Sequence, residues 1–171
     1  MMFLLFLACK DAVPDTAGYA DVDTVENSDE PDCPGSVSTD ASAAGERVVS
    51  AGGSVTARFN GGAADYSSVL ALSAPSRVSI GTLHTTRPGT EVSLGEFDAD
   101  VELVFELAVP DGAVWWSGPG ERNADGLAHA RIVEASEGVW YGGFEDLANT
   151  GDSDFNDVCF TIIGDVRVLP Q

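Results

Sequence analysis

The segment VELVFELAV, residues 101–109, decides the fold class of this chain. Its apolar residues recur at every second position, at Val101, Leu103, Phe105, Leu107 and Val109. Glu102 and Glu106 fall on the alternate positions, so one face of the segment is apolar and the other carries charge. A period of two is typical of a β-strand that is buried on one face.

The rest of the chain from residue 46 onward repeats this pattern in shorter pieces. Clusters of Gly, Pro, Asn and Asp separate the pieces, and only residues 63–72 have a pattern that would accommodate a helical turn. Many short strands without intervening helices predict an all-β fold, an antiparallel β-sandwich of the jelly-roll or Greek-key type. The further predicted strands are residues 54–59, 68–72, 77–80, 92–97, 113–116, 127–133, 139–144, 155–163 and 166–169.

Length and charge narrow the class of partner. The 171 residues suffice for one domain, which we place at 46–171, and a tail. A formal net charge of −20, from 28 acidic and 8 basic residues, argues against nucleic acid, whose phosphates would repel this surface. Such a charge suits cations and a solvated extracellular surface.

The N-terminus predicts a lipid anchor. Residues 1–9, MMFLLFLAC, resemble the end of a bacterial lipoprotein signal, in which Cys9 would be lipidated after cleavage. Residues 10–45 are rich in Asp, Ser, Pro and Ala without hydrophobic periodicity, which predicts a disordered acidic tether. We therefore expect an extracytoplasmic lipoprotein of the bacterial outer membrane or cell surface, attached to the membrane through its lipid. A buried N-terminal strand is the alternative for residues 1–9.

Two further cysteines remain if Cys9 carries lipid. Cys33 lies in the predicted tether and Cys159 in a predicted strand. In an oxidising compartment the sequence allows either a disulfide between them or two free thiols.

The segment GFEDLANTGDSDFNDVCF, residues 143–160, predicts a metal site. It contains five acidic residues and no basic one between two apolar strands, and a hairpin with its loop at 147–153 would bring them to one end of the sheet. The alternation within the strands places Asp146, Asp154 and Asn156 on one side. Crowded carboxylates need a compensating charge, and calcium takes about 6–8 oxygen ligands of these types. The candidate ligands in this segment are Glu145, Asp146, Asp152, Asp154, Asn156 and Asp157. The alternative is that these acids cap turns or are merely exposed.

The same segment resembles the signature of the bacterial extracellular family called domain of unknown function 4114. That signature runs G-F-E-D, a Gly-containing loop, and D-x-D-F-N-D before an apolar strand. The upstream residues Asn123, Asp125 and His129 resemble the family's N-x-D-G-x-x-H-A element, and the resemblance adds Asn123 and Asp125 to the candidate ligands. It implies a secreted or surface β-sandwich with a calcium site and no known reaction. Asn149-Thr150 departs from the family pattern, which usually has Gly there.

The remaining candidate residues, His129 and the two adjacent tryptophans, indicate function less strongly than the acidic segment. No nucleophile motif accompanies His129, so we expect no enzyme. Trp115 and Trp116 are adjacent and therefore face opposite sides of a strand, and an exposed one could stack on a sugar ring. Our hypothesis is a lipid-anchored module for adhesion or structure, stabilised by calcium and with a cell-surface glycan or protein as its partner. The alternative is a calcium-dependent carbohydrate-binding module.

Overall fold

The computed structural model describes Cys33 and residues 45–169. The predicted signal segment with Cys9, and the predicted tether apart from Cys33 and Gly45, lie outside the described residues. Within the described part of the chain, no helix has the length and apolar character needed to cross a membrane.

The described residues form a sandwich of two antiparallel sheets. One sheet has the order β11-β1-β6-β3-β4, with β7 also paired to β6, and the other has the order β5-β2-β10-β9-β8. The predicted antiparallel β-sandwich is thereby confirmed. The strands are β1 (Arg47–Ser50), β2 (Gly53–Gly61), β3 (Val69–Ala74), β4 (Val78–Thr82), β5 (Thr90–Phe97), β6 (Glu102–Ala108), β7 (Val114–Trp116), β8 (Ala130–Ser136), β9 (Val139–Phe144), β10 (Val158–Ile163) and β11 (Val166–Leu169).

The hydrophobic core lies between the sheets and comes from the alternation seen in the sequence. Leu103, Phe105 and Leu107 of β6 are fully buried, and on the opposite sheet Phe160 of β10 meets Phe105 at a ring distance of 4.8 Å. Burial of such side chains contributes about 1.5–3 kcal/mol each, so the core supplies the main driving force for the fold. Glu106 lies on the alternate face of β6, where it is largely buried and pairs with Arg77.

Three sequence-based expectations differ from the structure. The helical turn that the sequence would accommodate within residues 63–72 does not form, because residues 62–68 are an irregular loop. The short 3₁₀ turns lie instead at Gly120–Arg122 and Ala148–Thr150. The last long strand begins at Val158 rather than at residue 155. The strand predicted at 127–133 begins at Ala130. Both strands begin later than predicted because the chain turns just before each of them, and these turns hold side chains of the candidate site.

Strands β9 and β10 form the predicted antiparallel pair. Their register runs from Val139 opposite Ile163 to Phe144 opposite Val158, where the ladder ends. Residues 145–157, which we call the acidic loop, connect the strands at this end of the sandwich. The loop is thus longer than the predicted 147–153.

Candidate metal centre

The acidic loop leaves the extended conformation soon after β9. Asn149, Thr150, Ser153 and Phe155 all have positive φ angles, between 56° and 63°. Residues other than glycine seldom adopt this region, and a chain in it is not the extended strand in which successive side chains alternate between two faces. The expectation that strand alternation continues through Asp154 and Asn156 is therefore wrong, and the acids separate into two groups.

The first group consists of Glu145, Asp152 and Asp154. Each contributes a carboxylate oxygen, and these oxygens all lie within 4.8 Å of one another. Glu145 is buried, Asp154 is half-buried and Asp152 is exposed, so the group reaches from the core to the surface. This arrangement of oxygens suits one hard cation that also keeps water ligands on its exposed side.

Glu145 is the buried end of this group. Its side chain is only 1% exposed, and its Oε1 accepts a hydrogen bond of 2.5 Å from the backbone N–H of Phe155. Burial raises the pKa of Glu145 to about 7, with further contributions from the carboxylates of Asp157, Asp152 and Asp154. The hydrogen bond from Phe155 opposes this shift. A bound cation would remove the cost of ionising Glu145 in this position.

The loop's backbone is folded closely around the Glu145 carboxylate. Gly151 has φ 47° and ψ −121°, and a Cβ atom there would lie 2.8 Å from Oε2 of Glu145. Only glycine allows the chain to pass so near the carboxylate. Asp154 in turn accepts a hydrogen bond of 3.1 Å from the backbone N–H of Asn156, and its other oxygen contacts the Asn156 side-chain amide. Asp154 is therefore both a candidate ligand and part of the loop's own folding.

The second group is the pair Asp146 and Asp157. The backbone N–H of Asp146 donates to Oδ2 of Asp157 at 2.8 Å, and the two carboxyl groups are neighbours. Burial and the charge of Asp157 raise the pKa of Asp146 to about 6, and Asp111 and Asp65 add to the effect. Burial also raises the pKa of Asp157. Neither residue belongs to the group formed by Glu145, Asp152 and Asp154.

His129 supports the acidic loop from beneath. It is fully buried, its Nδ1 lies 3.1 Å from the carbonyl oxygen of Glu145, and its Nε2 lies 2.9 Å from Oδ2 of Asp125. The imidazole thus links the backbone of Glu145 to the carboxylate of Asp125. The ring of Trp115 stacks on that of His129 at 3.8 Å, and Trp115 Nε1 donates to the carbonyl oxygen of Asp146.

Asp125 and Asn123 have other roles than the predicted one. Asp125 accepts hydrogen bonds from His129 and from the backbone N–H groups of Asn149 and Leu127. Burial opposes ionisation of Asp125, but these donors outweigh it and lower its pKa. Asn123 bonds the backbone of Trp116 and Leu127 through its amide. The structure thus uses both residues to hold neighbouring loops and does not bring Asp125 into the carboxylate group.

Trp115 does not offer the exposed ring that the carbohydrate-binding alternative needs. It is 5% exposed because it packs on His129 beneath the acidic loop. Trp116 faces the other side of β7 and is half-buried. The role of Trp115 as a ligand-stacking residue is therefore corrected to a structural one.

Cys33 and Cys159 are joined in a disulfide, with their Cα atoms 5.2 Å apart. Cys159 is the second residue of β10 and follows Asp157 closely in sequence. The bond therefore holds Cys33 beside the acidic loop.

Sequence reasoning missed the contributions of Gly151 and of the Phe155 backbone. The positive φ angles carried no clear signal, because Asn, Thr, Ser and Phe residues adopt them here. Gly151 within the D-rich loop was a signal that the chain makes a close approach to another group.

Comparison of the chain with protein-family models, with curated proteins and with solved structures gives no match. The resemblance to domain of unknown function 4114 therefore stays a prediction that rests on the acidic loop and the residues upstream of it.

Proposed function

We propose that this chain is an extracytoplasmic, lipid-anchored β-sandwich module whose acidic loop binds calcium through Glu145, Asp152 and Asp154. The bound ion stabilises the loop and presents it as part of a structural or adhesive surface. The observation that carries the proposal is the convergence of three carboxylates within 4.8 Å around a Glu145 that is 1% exposed.

The energetics favour an ion over turn capping for these three residues. A cap satisfies backbone N–H groups with one carboxylate, whereas here Glu145 meets further negative charges in a buried position. Repulsion and lost hydration cost several kcal/mol without a counter-charge. Calcium supplies that counter-charge and accepts an irregular set of oxygens, including those from backbone and water.

The wider setting agrees with an extracellular module. The net charge of −20 suits a medium rich in divalent cations, and a disulfide joins Cys33 to Cys159, as is usual in oxidising compartments. The lipid anchor at Cys9 remains a proposal from the sequence. We propose no enzymatic activity. With Trp115 buried, the carbohydrate-binding alternative would depend on the half-buried Trp116 alone, and we therefore propose the structural or adhesive role instead.

Thermal unfolding with and without calcium tests the proposal. A ligand that binds only the folded state stabilises it by about 2.7 kcal/mol at a hundredfold excess over Kd. We expect millimolar calcium to raise the melting temperature of the wild type above its value in EDTA, and Asp152→Asn to remove most of that rise. Asp152 is preferred to Asp154 because it is exposed, and replacing it leaves the Asp154–Asn156 hydrogen bonds intact.

A matched control keeps the test specific. Asp98→Asn removes one charge from an exposed acid at the end of β5, where Phe97 pairs with Gly53, far along β2 from the acidic loop. We expect this variant to keep the full calcium effect. If calcium fails to shift the wild-type melting temperature, the proposed calcium site is wrong.

A further inference from the structure

Asp146 has a feature that the site formed by Glu145, Asp152 and Asp154 does not explain. Its side chain is 4% exposed, and Oδ2 is buried without a hydrogen-bond partner among the described residues. Its backbone groups, by contrast, are both used, because the N–H donates to Asp157 and the carbonyl accepts from Trp115. A buried carboxylate oxygen without a partner costs free energy, so its position needs a cause.

The group beside this oxygen makes the cost larger. The Asp157 carboxyl adjoins that of Asp146, and the two side chains form a hydrogen bond only when Asp146 carries a proton. Two carboxylates in contact repel each other unless a proton or a cation lies between them.

The surrounding loops bring more negative charge to the same point. A Cβ atom on Gly62 would lie 2.0 Å from the carbonyl oxygen of Asp157, so the chain after β2 packs directly on this residue. The backbone N–H groups of Ala63 and Ala64 donate to Asn156 and Asp157, which brings Asp65 into the neighbourhood of Asp146. Asp111, from the turn before β7, is a further neighbour. Three separate loops thus present acids around Asp146.

We propose that Asp146 and Asp157 hold a second divalent cation, separate from the ion proposed at Glu145, Asp152 and Asp154. One calcium ion with ligand distances of about 2.3–2.6 Å joins oxygens no more than about 5 Å apart. The oxygens of Asp146 and Asp157 do not belong to the group that meets this limit. Asp146 and Asp157 bind the second ion directly, and Asp65 and Asp111 bind it through water.

The stoichiometry of calcium binding tests this inference on the full chain with its disulfide intact. In equilibrium dialysis against saturating millimolar calcium we expect two ions per chain. Asp146→Asn, which keeps the side-chain shape, should bind one ion, which halves the calcium bound. Asp157→Asn is a second variant with the same expected result, and Asp98→Asn should retain two ions.

The two proposals fail in different ways. Loss of one ion in Asp146→Asn and of the other in Asp152→Asn supports both sites. If Asp152→Asn keeps two ions while Asp146→Asn loses one, the second site stands and the site proposed above does not. The second site is overturned if Asp146→Asn and Asp157→Asn bind as much calcium as the wild type. It is also overturned if the wild type binds a single ion that Asp152→Asn abolishes.

Discussion

Glu145 and Phe155 are joined by a hydrogen bond of 2.5 Å from the backbone N–H of Phe155 to the carboxylate of Glu145. The bond crosses the acidic loop and fixes a buried acid at its centre. Phe155 is itself buried and reaches this position with a φ of 56°, which a phenylalanine rarely adopts. The loop therefore adopts an unfavourable backbone conformation at Phe155, and this conformation holds a carboxylate where water cannot solvate it.

The stability of the metal-free protein should fall as pH rises. Burial gives Glu145 a pKa of about 7 and Asp146 one of about 6, both above their usual values of 4.5 and 3.8. Between the usual and the raised values the folded state binds more protons than the unfolded state, so the free energy of unfolding decreases as pH rises through this range. In EDTA we expect a higher melting temperature at pH 5 than at pH 8.

Two further points bear on this pH dependence: the effect of calcium on it, and the constant charge of Glu102. Calcium competes with protons for the carboxylates, so its stabilising effect should be larger at pH 8 than at pH 5. Arg47 and Arg122 lower the pKa of Glu102 to about 2 against the effect of its burial, so Glu102 stays ionised throughout the interval. A metal-free protein that becomes more stable from pH 5 to pH 8 would contradict the buried, protonated state of Glu145.

Gly151→Ala should weaken calcium binding as well as the fold. The added Cβ would meet Oε2 of Glu145 at 2.8 Å and displace a candidate ligand. Gly89→Ala is the matched control, because Gly89 has a φ of +86° but no atom near its Cβ position. We expect backbone strain to cost both variants about 1–3 kcal/mol, and only Gly151→Ala to raise the calcium Kd. Urea unfolding and calcium titration measure the two effects, and an equal calcium Kd in both variants would count against the close approach.

Trp115 and Trp116 should respond differently to substitution by phenylalanine. Trp115→Phe loses the hydrogen bond to the carbonyl oxygen of Asp146 and leaves that buried acceptor unpaired, at a cost of about 1–3 kcal/mol. Trp116 is half-buried on the other face, and we expect its substitution to change the free energy of unfolding by less than about 1 kcal/mol. Urea denaturation of the two variants checks this order, and a larger loss in Trp116→Phe would overturn it.

The disulfide should stabilise the domain independently of calcium. It links residues separated by 126 positions, and a loop of this length corresponds to about 4–5 kcal/mol in the chain-entropy model. We expect Cys33→Ser to lower the free energy of unfolding by a few kcal/mol in EDTA and in calcium alike. Chemical denaturation with and without a reductant measures this, since reduction should affect the wild type but not the variant. An unchanged wild type after full reduction would show that the bond contributes nothing.

The strand pattern could be predicted from the sequence because apolar residues at every second position indicate directly which face of a strand is buried. Val55, Ala57 and Phe59 of β2 and Leu103, Phe105 and Leu107 of β6 all lie in the core as their spacing indicates. β1 was not predicted as a separate strand, because its two apolar residues, Val48 and Val49, are adjacent and show no alternation.

The candidate site could be predicted only as a neighbourhood. The composition of residues 143–160 located the acids, but their division into two groups depends on the φ angles of Ser153 and Phe155. Those angles arise from tertiary contacts, such as the bond from Phe155 to Glu145. The roles of Asn123 and Asp125 were missed for a similar reason, since a carboxylate or amide that holds a loop has the same residue type as a metal ligand.

The location of bound calcium in crystals grown with the ion tests the central claim most directly. An anomalous difference map identifies calcium by its scattering and places it relative to the loop. We expect a peak about 2.3–2.6 Å from carboxylate oxygens of Glu145, Asp152 and Asp154, with water on its exposed side. Well-ordered crystals in millimolar calcium with no anomalous peak at these three residues would contradict the calcium site.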